Sequence, residues 1–439
     1  MFMPFMACGR RGRVLRVTEI LCCVLIFASA ESVWAVKSPD WWEANRAIYC
    51  PFAASGAGSA LLKCPSDNIT DKLKSFGDLP MVLDDARRLG CNVVYLVDYW
   101  EGGYEMKAEY VPRSDLGGPE AFKKGVDAIH RKGGRIIVYL EAFIVSRRTD
   151  WAKKHADWAM MDEDGKYYSY YQTGDRFYLM YPGPGSGWRD YISDVARRLV
   201  ADYGVDGIML DSYGYQWGWV DYNPKHPAGL DKRVWNKYAV RLVEDVRRKV
   251  REVKPDAIVM LEGDEFTPLL DVCDGAMDES LEIIMRKPWA KERKYNIYTN
   301  GFSVRELKAI LDAGYNISLT PYWFWGFPSQ KKIEDYSKPM ERKDWVKRLQ
   351  NLVHWDNILA ANGIPPHPKA DFGKLKLELE EASHKVRNGE EFSVPRYDEV
   401  LRYVSKELAR LRERGESAIK MPPDYIASIL SAAGQKRSF

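Results

Sequence analysis

The stretch Tyr203-Gly-Val-Asp-Gly-Ile-Met-Leu-Asp211-Ser-Tyr213 decides the fold. An apolar run, Gly207 to Leu210, ends on an acid, and aromatic residues follow at Tyr213, Tyr215, Trp217 and Trp219. Short apolar runs bounded by turn residues read as buried strands. In a parallel α/β barrel the carboxyl ends of the strands carry the reactive side chains. An acid there, walled by rings, suits carbohydrate chemistry, because a carboxyl can be tuned as nucleophile or proton donor. The plainer reading of the same residues is a strand-end Asp that caps a loop or helix.

Working outward, the pattern recurs. Ala47 to Pro51 reads as a first strand, Asn92 to Val97 as a second ending at Asp98-Tyr99-Trp100, and Arg135 to Leu140 as a third ending at Glu141. Beyond Asp211, Ala257 to Leu261 ends at Glu262, Gly275 to Met277 ends at Asp278, and Tyr295 to Thr299 and Asn316 to Pro321 complete the series. Amphipathic helices fall between them at Leu79 to Leu89, Pro119 to Lys132, Trp188 to Tyr203 and Lys232 to Val253, with a tyrosine-rich insertion at Ser146 to Gly187. Strands alternating with helices of this length predict βα units, and about eight of them predict an α/β fold, a (β/α)8 TIM barrel. No Gly-x-Gly-x-x-Gly follows the first strand, which argues against dinucleotide binding. From Ile364 the texture changes to Pro365-Pro366-His367-Pro368 and then charged helices at Leu375 to Val386 and Tyr397 to Arg414. The expected organisation is therefore a signal peptide over 1–35, a barrel over 40–363 and a helical C-terminal extension over 364–439.

Arg10, Arg11, Arg13 and Arg16 precede an apolar run from Ile20 to Phe27, with small-residue cleavage sites at Ala28-Ser29-Ala30 and Val33-Trp34-Ala35. That is the pattern of a secretory signal, and the run is shorter than the ~20 residues a bilayer-spanning helix needs. The expectation is a secreted protein, extracellular or periplasmic, with no membrane span after cleavage. Cutting after Ala30 would remove four arginines and Glu19 from the 65 basic and 62 acidic residues, leaving the charges balanced. A balanced surface argues against nucleic acid as partner. Of the cysteines left after cleavage, Cys50 and Cys64 lie close together in a Gly-rich region, where an oxidising compartment would allow a disulfide. Cys91 and Cys273 each precede a strand on opposite sides of the expected barrel. No Cys/His spacing reads as a zinc site.

Asp98, Glu141, Asp211, Glu262 and Asp278 each close a strand, which gathers carboxylates around one barrel mouth. Glycoside hydrolysis needs two such groups flanking the scissile bond; in a retaining enzyme one attacks and the other donates, then accepts, a proton. Asp211 is the nucleophile candidate, and Glu262 or Asp278 the acid/base. Asp98 and Glu141 read either as binders of substrate hydroxyls or as paired structural acids. Trp100, Tyr213, Trp217, Trp323 and Trp325 follow strands and are candidate sugar platforms, with core or loop packing as the alternative for each.

The order Val94-Tyr-Leu-Val-Asp-Tyr-Trp100, Gly134-Arg-Ile-Ile-Val-Tyr-Leu-Glu141, His155-Ala-Asp-Trp158, Trp188-Arg-Asp-Tyr191, Tyr203 to Asp211 resembles barrel glycoside hydrolases of the α-galactosidase-like clan and related uncharacterised secreted glycosidase-like proteins. The resemblance implies that the acid ending strand four, Asp211, is the nucleophile. That clan usually has Lys two residues before this Asp, where Met209 stands here. Its acid/base ends strand six, which points to Asp278, whereas other retaining barrels use a Glu on strand five, which points to Glu262.

Three readings follow. The leading one is a secreted O-glycosyl hydrolase acting on an oligo- or polysaccharide, with no cofactor and no metal. A metal-dependent lyase or isomerase would use Glu141, Asp211 and Glu262 as Mg2+ ligands, since hard cations take carboxylate oxygens; its Lys or His base is not evident. The last is a carbohydrate-binding barrel without turnover.

Overall fold

The computed structural model describes residues 37–50, 74–103, 107–168, 176–216, 218–227, 233–263, 267–278, 296–298, 304–312, 315–319, 327–338, 340–341, 344–385 and 392–435. The segment expected to be a signal peptide and Cys64 lie outside them. Eight parallel strands close into a barrel: β1 (Ala47–Tyr49), β2 (Val93–Leu96), β3 (Arg135–Glu141), β4 (Gly207–Asp211), β5 (Ile258–Glu262), β6 (Gly275–Asp278), β7 (Asn296–Tyr298) and β8 (Asn316–Leu319). Each strand pairs with its sequence neighbours, and β1 closes the ring by pairing with β8 at Tyr49 and Leu319 and with β2 at Tyr49 and Val94. The (β/α)8 barrel read from the sequence is thus the observed fold, with strand ends within about two residues of those expected.

The outer helices form where apolar residues recur every three or four positions. α1 (Leu79–Arg88) buries Leu79, Val82, Leu83 and Ala86, and the turn before it is fixed by a reciprocal cap between Ser75 and Asp78. α2 (Gly118–Arg131) buries Phe122, Val126 and Ile129. At Gly125 a β-carbon would lie 2.4 Å from the Phe76 carbonyl oxygen, so only glycine lets α2 approach that turn. α3 (Trp188–Tyr203) and α4 (Lys237–Val253) bury Ile192, Val195, Leu199 and Leu242, Val246, Val250 respectively. α5 (Val304–Asp312) precedes β8. Between β3 and α3 the insertion forms a two-stranded antiparallel hairpin, Ile144–Ser146 against Phe177–Leu179.

A second group of buried side chains, from Ile333 to Leu411, belongs to α6 (Gln330–Tyr336), α7 (Trp345–Ala361), α8 (Phe372–Lys385) and α9 (Pro395–Glu413). α6 and α7 lie upstream of Pro365-Pro366, α8 and α9 downstream, so this group begins before the Pro-rich stretch. The last, α10 (Pro422–Gln435), returns to the barrel, where Ile426, Ile429 and Leu430 join the core. It helps line a cleft of about 570 Å³ at the amino ends of β1 to β3, beside Trp41, Arg46 and Arg135. Among the described residues no helix is long and apolar enough to cross a membrane. Cys91 is buried with a free thiol, which burial pushes up.

The amino end of the barrel is held by buried acids. Asp206, just before β4, accepts from His130 (2.8 Å), Arg135 (2.8 Å), Lys254 (2.7 Å) and the Ile136 amide (2.8 Å). Asp274, before β6, takes Arg251 (2.8 Å), Ser38 (2.9 Å) and the Val259 amide (2.9 Å). Burial pushes the Asp206 carboxyl up, but the His130 hydrogen bond and the Lys254 ammonium outweigh it and hold it at about 2. A carboxyl depressed in the folded state contributes stability above its ordinary range of about 4, and that contribution is lost as pH falls from there towards about 2. We expect Asp206→Ala, which leaves buried donors unpaired, to cost about 3–5 kcal/mol at pH 7 in urea unfolding. The difference from wild type should shrink below pH 4. A cost under about 1 kcal/mol at neutral pH would contradict this role.

Candidate active site

Alternation along β3 puts Tyr139 and Glu141 on one face of the strand. The register sets Tyr139 against Met209 and Glu141 against Asp211 on β4. Two carboxyl groups and a phenol therefore meet at the carboxyl end of neighbouring strands. The Tyr139 hydroxyl donates to Asp211 Oδ2 at 2.6 Å and stands 3.3 Å from Glu141 Oε2. Glu141 Oε1 accepts from the Phe143 amide (2.6 Å) and the Ile144 amide (3.1 Å). The Tyr110 hydroxyl accepts from the Glu141 amide (2.7 Å) and donates to the Glu141 carbonyl (3.2 Å).

Burial separates the acids. Glu141 is 2% exposed and Asp98 3%, whereas Asp211 and Glu262 are partly open to solvent. Burial, and then the neighbouring Asp211 charge, push the Glu141 carboxyl well above the carboxylate range. Asp98 is also pushed up by burial, to about 6, even though Arg113 opposes the shift. Its Oδ2 pairs with the Arg113 guanidinium at 3.0 Å. Of the two readings of Asp98, the geometry is that of a paired structural acid.

Glu262 is tied to the β4 loop: its Oε2 accepts from the Ser212 amide at 2.9 Å, and its carbonyl accepts from the Gly214 amide at 2.6 Å. Leu210 stands opposite Leu261, one residue before each acid, so Asp211 and Glu262 close adjacent strands. Asp278 closes β6, where Met277 pairs with Glu262. The Asp278 side chain lies outside the described residues, as do Trp217, Trp323 and Trp325.

The aromatic residues expected as platforms divide differently. Trp100 is fully buried and stacked on Tyr139, with ring centroids 5.1 Å apart and planes 1° from parallel. Tyr213 is fully buried against Trp235, with centroids 5.2 Å apart. Neither offers a face to a sugar. Both pack beneath the mouth, because flanking rings from other elements cover them. Sequence reading passed over Tyr139 and Tyr110; the Tyr-x-Glu spacing in Val138-Tyr-Leu-Glu141 is the signal that puts Tyr139 beside the acids.

Among the described residues, the non-glycine positions with left-handed backbone are Asp98 (φ 57°), Tyr110 (φ 54°) and Ser212 (φ 59°). All three flank this mouth, where backbone strain is usually held for function. Glu141, Asp211 and Glu262 do not assemble a Mg2+ site: among the described residues no three His, Cys, Asp or Glu side chains are arranged to hold a metal ion. Glu141 Oε1 and Glu262 Oε2 are turned to backbone amides instead.

At Gly214 a β-carbon would lie 2.0 Å from the Gly263 carbonyl oxygen and 2.6 Å from that of Glu262. Gly214 therefore lets the loops after β4 and β5 meet through backbone. We expect Gly214→Ala to push the two loops apart at a cost of about 1–3 kcal/mol, read as a lowered Tm. An unchanged Tm would show that the loops are not held together there.

The family described as a domain of unknown function, DUF6259, matches residues 33–282. The 1,4-alpha-glucan branching enzyme of Corynebacterium efficiens is 26% identical over 201 residues, 41% of this chain and 25% of that enzyme. The chain thus spans about a quarter of the length of that relative. Among solved structures, an alpha-galactosidase from Thermus thermophilus is similar at 15% identity, with a TM-score of 0.43 over 63% of this chain and 58% of that one. A maltogenic alpha-amylase from Thermotoga neapolitana is similar at 18% identity, with a TM-score of 0.44 over 63% of this chain and 67% of that one.

Proposed function

This chain belongs to the DUF6259 family, and from that premise we propose that it is a carbohydrate-active enzyme cleaving O-glycosidic bonds with retention. Asp211 is the nucleophile and Glu262 the acid/base. One observation carries the reading: of the strand-end carboxyls whose side chains are described, only Asp211 and Glu262 reach solvent, and they close adjacent strands at the barrel mouth. Retaining hydrolysis needs such a pair on either side of the bond to be cut, one ionised to attack and one to pass a proton. The Tyr139 hydroxyl supports the first role, because a phenol donated to Asp211 stabilises its ionised form. The Ser212 amide fixes Glu262 beside it.

The match to a 1,4-alpha-glucan branching enzyme supports an α-glycosidic substrate and glycosyl transfer alongside hydrolysis. Asp278 is the alternative acid/base, as the strand-six acid. The arginines and apolar residues of positions 10–27 support export, with the reaction outside the cytoplasm.

Kinetics on aryl glycosides of both anomeric series and on α-glucans test the proposal. Asp211→Asn should abolish turnover with the fold intact, while Glu262→Gln should lower kcat about 10²–10⁴-fold. Full activity in Asp211→Asn would refute the site, and loss in Asp278→Asn with activity kept in Glu262→Gln would move the acid/base to β6.

A further inference from the structure

Beneath Asp211 a single phenol stands between two carboxyl groups. Tyr139 has a single hydroxyl proton, and the 2.6 Å contact commits it to Asp211 Oδ2. The same oxygen lies 3.3 Å from Glu141 Oε2. If Glu141 were a carboxylate, that contact would set lone pair against lone pair between two side chains only 2% and 4% exposed. Tyr110 cannot relieve it, since its own proton serves the Glu141 carbonyl. Nor can the backbone, whose Phe143 and Ile144 amides both go to Oε1. A proton on Oε2 completes the count.

We propose that Glu141 is a positioning residue for Asp211. It is held as a neutral carboxylic acid whose Oε2–H donates to the Tyr139 hydroxyl, which in turn donates to Asp211. The chain of donors runs in one direction, from the buried acid to the partly exposed one. It fixes the Asp211 carboxylate and leaves it the ionised member of the pair. The ionisable groups that face Glu141 are Asp211, Tyr139, Tyr110 and Tyr213; burial and the Asp211 charge both favour the neutral acid. Two carboxyl groups this close do not both ionise. The inference rests on Asp211 being the nucleophile, but the state of Glu141 can be read without turnover.

Glutamine is the discriminating replacement. Its amide keeps an acceptor for the Phe143 and Ile144 amides and a donor for Tyr139, and it carries no charge. Glu141→Gln should keep kcat within about threefold of wild type, whereas Glu141→Leu and Tyr139→Phe should lower it about 10–100-fold, the loss of a hydrogen bond to a charged group. The infrared spectrum of the wild-type protein at pH 7 should contain a protonated-carboxyl C=O band that shifts in D2O and is absent from Glu141→Gln. Glu141→Gln as inactive as Glu141→Leu, with both folded, would overturn the proposal, because the carboxyl itself would then be required. A spectrum lacking that band would also overturn it. If no glycoside is turned over by the wild type, the proposed function fails, and the infrared band alone decides where the proton lies.

Discussion

The register between β3 and β4 sets Glu141 directly opposite Asp211, and two carboxyl groups held together, one buried and one partly open to solvent, must settle which of them carries the charge. The rest of the mouth follows from that constraint. Glu141 sits deeper, its Oε1 taken by two backbone amides that hold it in place. Asp211 sits shallower and receives the Tyr139 hydroxyl. Trp100, laid flat on Tyr139, fixes the phenol's angle, and Tyr110 pins the β3 end from the other side. The aromatic residues beneath the mouth form a packed floor on which the two acids sit at different depths.

The two ends of the barrel solve opposite problems with the same side chain. At the amino end Asp206 and Asp274 are buried among arginine, lysine and histidine, so their charge is compensated and they tie helices to strands. At the carboxyl end the partners of two of the acids differ from one another. Arg113 serves Asp98, while tyrosine hydroxyls and backbone amides serve Glu141. Burial and the neighbouring Asp211 push the Glu141 carboxyl up, and its hydrogen bonds to backbone amides only partly oppose that. Among the described residues, the non-glycine positions with left-handed backbone, Asp98, Tyr110 and Ser212, all fall at this end.

Much of this architecture is legible in the sequence. Each strand is a short run such as Val93–Leu96 or Ile258–Glu262, apolar on both faces because helices cover one side and the barrel interior the other. Acids at the strand ends mark the mouth. The roles of the aromatics are not legible, because whether a ring after a strand stands in solvent or lies in the floor depends on neighbours from other elements. Trp100 is covered by Tyr139 and Tyr110, and Tyr213 by Trp235, pairings across 10 to 39 positions that no local pattern encodes. The same holds for the ranking of Glu141 against Asp211, which depends on depth and not on sequence position. Gly214 reads as a turn residue, yet its reason is the backbone of the neighbouring loop.

The most direct test is to trap the intermediate. An activated 2-deoxy-2-fluoro glycoside matching the preferred sugar should add one sugar mass to the protein, and peptide mapping should find it on Asp211. Attachment to Glu262, Asp278 or Glu141, or inverted product with no covalent adduct, would contradict the assignment of Asp211 as the ionised nucleophile.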